Sequence, residues 1–228
     1  MSKIKNFYEI IPKEFLLNAE NPNFDLHKLK LPFRLCICAP SGSGKTVYLI
    51  NLLALFCERK GTFANITIIT RNKDEPLYKW LETKSDSISI KEGLHNAPVL
   101  DKMNKEENSI VIYDDLVLSK DMSSVEAYYI RARKLNCSVI FLSQSYFRIP
   151  KIIRGNCNYL VLLKLSGDRD LNLIMNEFGM GVTKETIMKM YLYCTKEKFN
   201  VMLIDLEAEP SQRFRHNILD ILNPADFA

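Results

Sequence analysis

Apolar residues along this chain gather into short, near-continuous runs: Phe33–Ala39, Ile66–Thr70, Ile110–Tyr113, Val139–Leu142, Tyr159–Leu163 and Val201–Ile204. Runs of that length without polar alternation mark strands covered on both faces, the habit of a parallel sheet. Between them the period turns helical. Val47–Phe56 follows the first run, and Ser123–Leu135 precedes the Val139 run. Leu171, Ile174, Met175 and Phe178 recur at three- and four-residue spacing until Gly179 and Gly181 stop the helix. Ser123 and Glu126 stand at capping-box spacing, and Arg131, Arg133 and Lys134 crowd the far end of that helix, where its dipole favours cations. Strands alternating with helices predict an α/β fold with right-handed crossovers. No repeat, low-complexity segment or linker divides the chain. One domain is therefore expected at 31–217, with an N-terminal extension over 1–30 and a tail over 218–228.

Composition narrows the class without naming a function. With 228 residues, 47% hydrophobic and 25% charged, the chain can bury a core without disulfide or metal staples. Disorder, a collagen, a disulfide mini-protein and a strongly basic coat protein are excluded. A net charge of +4 neither requires nor forbids a nucleic-acid partner. Cysteines at 36, 38, 57, 137, 157 and 194 form no C-x-x-C pair, and four of them lie in or beside apolar runs. Free thiols in a reducing compartment are expected, and no zinc site. The first residues lack the apolar core of a signal peptide, and no stretch reaches the 18 or so apolar residues of a membrane span. A cytoplasmic protein without a membrane span is expected.

The chemistry begins where the first run ends. Ala39, Pro40, Ser41, Gly42, Ser43, Gly44, Lys45 and Thr46 spell a Walker A loop with Ala in the first glycine position. Small residues let successive backbone N–H groups wrap a triphosphate. Lys45 reaches the β/γ oxygens, the Thr46 hydroxyl holds Mg²⁺, and the following helix adds its positive end. The nucleotide and cofactor expected are ATP with Mg²⁺. Ile110–Asp115 supplies the carboxylate that such a site needs at the end of a neighbouring buried strand. Asp114 is read as the Walker B metal residue, acting through water, and Asp115 as the base that polarises the attacking water, one methylene shorter than the usual Glu. A third strand ends in Ser143 and Gln144, at the edge where open α/β sheets bind ligands. Gln144 there contacts the γ-phosphate or the attacking water, or else simply bonds the next loop.

Four kinds of nucleotide protein remain to be separated. A GTPase needs Asn-Lys-x-Asp after Walker B and a Gly at D-x-x-G. Asn72-Lys-Asp-Glu75 precedes it with Glu in the Asp slot, and Val117 takes the glycine position, so that reading fails. A small-molecule kinase and a nucleotide-binding scaffolding subunit with little turnover stay open as alternatives to an ATPase.

The segments Leu31–Thr46, Ile110–Leu116 and Arg133–Ser145, with Phe147–Pro150, Arg154–Asn156 and Phe199–Asp205, resemble the viral DNA-packaging ATPases of the poxvirus type. That group is shared with other large DNA viruses and virophages, within the FtsK/HerA superfamily. The resemblance spans about Leu31 to Asn217, and its basic-helix, Asn, strand, Ser-Gln series is more specific than Walker A. It implies a RecA-like (ASCE) P-loop sheet flanked by helices, and a homo-oligomeric ring, pentamer or hexamer, that pumps double-stranded DNA into a capsid at host cytoplasmic assembly sites. Portal or vertex proteins of the capsid are implied partners. An arginine from the neighbouring subunit would complete each ATP site. Arg133 matches the family's arginine before the Gln strand; Arg131, Arg148 and Arg154 are the other candidates, all expected near the sheet's C-terminal edge. Related motors place basic residues at Lys120, the first choice for DNA contact, with Lys102 and Lys105 as further candidates. Contacts with phosphates, not bases, are expected. Trp80, Tyr128 and Tyr129 are expected to be packing residues.

Overall fold

The computed structural model describes residues 4–12, 16, 20–116, 119, 121–179 and 181–228. Its strands are β1 (Arg34–Cys38), β2 (Asn65–Thr70), β3 (Ile88–Glu92), β4 (Ser109–Asp114), β5 (Cys137–Ser143), β6 (Tyr159–Leu162), β7 (Met202–Asp205), β8 (Phe214–His216) and β9 (Asp220–Leu222). They form one sheet in the order β3-β2-β4-β5-β1-β6-β7-β8-β9. The first six run parallel. The last three form an antiparallel meander on the β6 edge. The fold is thus the expected α/β sheet, mostly parallel and flanked by helices.

Continuous apolar runs arise because helices cover both faces. Leu35 and Ile37 of β1 pack with α2 (Lys45–Cys57) and α3 (Pro76–Glu82). Cys36 and Cys38 pack on the other face with α4 (Ser123–Arg131), α5 (Lys151–Asn156), α6 (Asp168–Phe178) and α7 (Lys184–Cys194). Helix α2 buries Tyr48, Leu49, Leu52, Leu53 and Phe56, the three- and four-residue stripe of a helix laid on a sheet. All six cysteines are free thiols, and all but Cys57 are buried. Among the described residues no helix is long and apolar enough to cross a membrane.

Several local expectations change. The Val201 run forms a strand that is antiparallel. Two helices, α6 and α7, separate it from β6, so the chain re-enters the sheet from the edge where β6 ended. Strand β3 escapes the pattern because it is an outer strand with its last two residues exposed, and β8 and β9 are too short to show a period. Ser123 is not a capping residue. The Asp121 carboxylate accepts the Ser123 N–H at 2.8 Å, so Ser123 is already the first helical residue, without a capping side chain. The helix also tightens to 3-10 geometry over Ala132–Leu135 and stops at left-handed Asn136. Within residues 1–30, His27 and Leu29 are fully buried. Asn23 donates to the Phe56 and Glu58 carbonyls, closing the C-terminus of α2. Residues 220–222, placed in the tail, add the final strand.

The meander is pinned by an ion pair between Asp205 and Arg215, both nearly inaccessible. Burial pushes the Asp205 carboxyl above its ordinary range and Arg215 opposes that shift. Arg215→Ala leaves a buried carboxylate without its counter-charge, so a loss of about 3–5 kcal/mol in urea unfolding is expected near neutral pH. The deficit should shrink on acidification, since a neutral Asp205 needs no cation; an unchanged midpoint would refute this.

Candidate active site

Parallel register brings three strand ends to one edge. Cys38 pairs with Ser143, and Leu142 pairs with Asp114. One expectation of adjacency fails here, because β4 is not next to β1. Strand β5 lies between them and bonds to both, so Gln144 emerges between the Walker A loop and the acids.

The loop leaves β1 at buried Ala39, whose N–H bonds the Ser143 carbonyl at 3.1 Å. Gly42 and Gly44 take φ of +73° and +100°, and Gly44 also admits the Phe199 ring: a Cβ there would lie 2.4 Å from a ring carbon. Helix α2 begins at Lys45 with no side chain capping it, which leaves its first N–H groups for an anion. Lys45 Nζ donates to the Ala39 and Pro40 carbonyls at 2.8 and 3.1 Å. Burial lowers its pKa, while Asp114 and Asp115 oppose that shift.

Asp114 closes β4 almost inaccessible to solvent. Burial is the main reason its pKa is raised to about 6, against the Tyr78 hydrogen bond and the Lys45 charge. The Tyr78 hydroxyl donates to Asp114 Oδ2 at 2.7 Å and also meets the Thr46 side chain. Tyr78 therefore joins the two residues expected to hold a metal. Asp115 adopts φ +54°, a left-handed conformation that turns the chain out of β4. Gln144 Nε2 donates to Asp115 Oδ1 at 2.9 Å. These groups border a cleft of about 420 Å³, with Lys198 and Phe199 as one wall. Such an arrangement has the chemistry to bind a triphosphate through loop N–H groups and Lys45, with a carboxylate and an amide at the far end of the cleft.

Other expected residues lie elsewhere. Arg133 is exposed in the turn before β5, at the N-terminal edge of the sheet, where its charge acts on Arg34. It is therefore not near the C-terminal edge, because it precedes the strand that Gln144 follows. Arg131 is exposed and paired with Asp101. Arg154 is committed to Glu177 at 2.6 Å and to the Tyr146 ring. Arg148 is exposed after the Gln144 strand. Lys102 and Lys105 are exposed ahead of β4, on the side of Arg133. Lys120 lies outside the described residues. Tyr128 and Tyr129 are packed as expected, but Trp80 is half exposed with Lys84 over its ring. Sequence reasoning missed Tyr78, Lys198 and Phe199, and Glu75, which also lines the cleft. Only the Pro76 helix start hinted at α3, and nothing in the loop sequence signalled that Phe199 meets Gly44.

A family model described as poxvirus A32 protein matches residues 21–212. The DNA packaging protein OPG160 of vaccinia virus (strain Copenhagen) is 27% identical over 195 residues, covering 78% of this chain and 70% of that protein. The variola virus protein of the same name matches with the same identity and coverage. Among solved structures, the genome packaging NTPase B204 from Sulfolobus turreted icosahedral virus 2, bound to ATP-gammaS, superposes with a TM-score of 0.60. It is 14% identical, over 85% of this chain and 100% of that one. VirB4 of Thermoanaerobacter pseudethanolicus gives 0.56 at 12% identity, over 83% of this chain and 89% of that one. At such identities the likeness is one of fold.

The raised Asp114 pKa makes a signed prediction. Unfolded Asp114 ionises near 3.8 and the folded group near 6, so its ionisation costs stability increasingly as pH rises through that window. Asp114→Asn should raise the melting temperature of the nucleotide-free protein at pH 7.5, with the gain shrinking toward pH 4. Thermal melts at both pH values check this; a loss at pH 7.5 would contradict it.

Proposed function

Because the chain belongs to the poxvirus A32 protein family, we propose that it is a genome-packaging motor ATPase, hydrolysing ATP to move double-stranded DNA into a viral capsid. The observation that carries the chemistry is the convergence of Lys45, Asp114, Asp115 and Gln144 on one cleft from three strand ends. The DNA and the capsid come from relatives named as packaging proteins.

Each residue has a separate task. Walker A N–H groups and Lys45 bind the β- and γ-phosphates and stabilise charge on the transferring group. Thr46 and Asp114 both meet the Tyr78 hydroxyl, which donates to Asp114 and hydrogen-bonds the Thr46 side chain. Thr46 directly and Asp114 through water would hold Mg²⁺, a cation that prefers oxygen ligands of this kind. Bound there, Mg²⁺ would neutralise phosphate charge. Tyr78 keeps Asp114 ionised by donating to it, since that bond lowers a pKa that burial raises. Asp115 orients the attacking water and accepts its proton, and Gln144, bonded to Asp115, couples the state of that carboxylate to β5.

Arg133 serves a neighbour rather than its own site. It is exposed and one strand length away from the cleft of its own chain, so it meets a nucleotide only across an interface between subunits. The proposed assembly is a closed ring of five or six copies, working in the cytoplasm at assembly sites against a capsid vertex or portal, as the family resemblance implies. Lys120, five residues past Asp115, is the proposed DNA contact, reading phosphates without regard to sequence.

Lys45→Ala should abolish hydrolysis, and Asp115→Asn should retain ATP while slowing turnover about a hundredfold or more. Steady-state ATPase rates with and without duplex DNA of arbitrary sequence check the motor reading. Stimulation by DNA is expected at low salt; its absence, with phosphorylation of a small acceptor, would favour a kinase. Mixing wild type with Arg133→Ala should depress activity below the proportional value, because each variant subunit spoils its neighbour. Strict proportionality would remove Arg133 from the site.

A further inference from the structure

Of the groups that meet at the cleft, Gln144 has the weakest support from its own contacts. It is exposed, and among the described residues its side chain makes one hydrogen bond, from Nε2 to Asp115 Oδ1. An exposed amide gains little from a single bond against the rotamer freedom it gives up. Where the amide stands is therefore decided by the backbone on either side of it. On one side is Ser143, fixed in the sheet by its pairing with Cys38. On the other side, three residues in a row bond to a single carboxylate. Asp170 Oδ1 accepts the Ser145 hydroxyl at 3.1 Å and the Phe147 N–H at 2.9 Å, and Oδ2 accepts the Tyr146 N–H at 2.9 Å. The Ser143 hydroxyl closes the turn between, donating to the Ser145 carbonyl at 2.7 Å and accepting the Ser145 N–H at 3.2 Å.

Asp170 is the third residue of α6, a place from which a carboxylate ordinarily serves its own helix. Here the helix starts without a capping side chain, and both Asp170 oxygens are turned to the loop after Gln144. Bonds from N–H groups to an ionised carboxylate are the stronger kind, and two oxygens shared among three donors fix direction as well as distance. The helix behind them is anchored, since Leu171, Ile174, Met175 and Phe178 are buried in the core. Glu177, two turns further along α6, holds the same loop differently. It accepts the Tyr146 hydroxyl at 2.5 Å and pairs with Arg154, so it secures a buried ring and not the backbone beside Gln144.

We propose that Asp170 is the positioning residue for Gln144: by fixing residues 145–147 it holds the amide on Asp115 in the orientation that water attack requires. The inference rests on reading Asp115 and Gln144 as parts of a hydrolytic site, and adds the residue that keeps the two together. Asp170 is not among the residues that border the cleft, so it acts only through the loop.

Asp170→Asn keeps the shape of the side chain but replaces an acceptor oxygen with a donor, so at least one of the three loop groups loses its partner. Steady-state hydrolysis of Mg²⁺-ATP by the full chain should show kcat lower by about tenfold or more, with KM and ATP affinity within about twofold of wild type, because a displaced catalytic group slows the reaction without weakening binding. A double-variant cycle with Gln144→Ala separates positioning from general damage. Asp170→Asn should slow the wild type yet leave the Gln144→Ala protein unchanged within about twofold, since the group it positions is already gone. Ser145→Ala, which removes one of the three bonds and spares the backbone, should give a smaller loss with the same dependence on Gln144. A wild-type kcat in Asp170→Asn, or in Ser145→Ala where the first variant does not fold, would overturn the proposal. So would losses that multiply in the double variant, the mark of a defect that acts independently of Gln144. If wild type hydrolysed no ATP, or Gln144→Ala hydrolysed it at the wild-type rate, the hydrolytic site itself would fall, a result distinct from either.

Discussion

Hydrogen-bond register between β1, β5 and β4 is the constraint on which the site depends. Parallel strands in register must end together, and here Cys38 faces Ser143 while Leu142 faces Asp114. Three loops of different chemistry are thereby fixed within a strand spacing or two of each other, about 5 to 10 Å. Both faces of these strands are sealed by helices, so a register slip would expose an apolar strand or bury a charge. The site inherits its precision from the sheet.

Electrostatics then works against burial. Asp114 and Lys45 are each partly stripped of water, and desolvation is the largest influence on both: it raises one pKa and lowers the other. Each charge supports its partner, and Tyr78 adds a hydrogen bond to the acid. Asp115, one residue further and more exposed, is held by a left-handed backbone and by Gln144. Adjacent acids in different surroundings acquire different tasks: a buried one suited to a cation and an open one suited to water.

The two edges of the sheet divide the labour. The nucleotide cleft occupies the C-terminal edge of the parallel strands, while Arg133, Lys102 and Lys105 stand at the other. The antiparallel meander extends the sheet beyond β6 and begins with the loop that carries Phe199 to the Walker A glycines.

The strands that build the site, Walker A, the paired acids and Gln144 were all legible in the sequence, because buried strands need continuous apolar residues and phosphate binding needs small residues at fixed local spacing. Family membership was legible for the same reason, from residues contiguous in the chain. Tertiary structure alone decided that β5 separates β1 from β4, since strand order leaves no mark on local pattern. It alone turned β7 antiparallel, placed Arg133 across the sheet, and brought Tyr78 to Thr46 and Asp114. Phe199 against Gly44 is the same case: 155 positions apart in the chain, they meet only because β7 runs back along the sheet. Local spacing encodes chemistry within one loop, whereas contacts between loops follow from how the strands are ordered and directed.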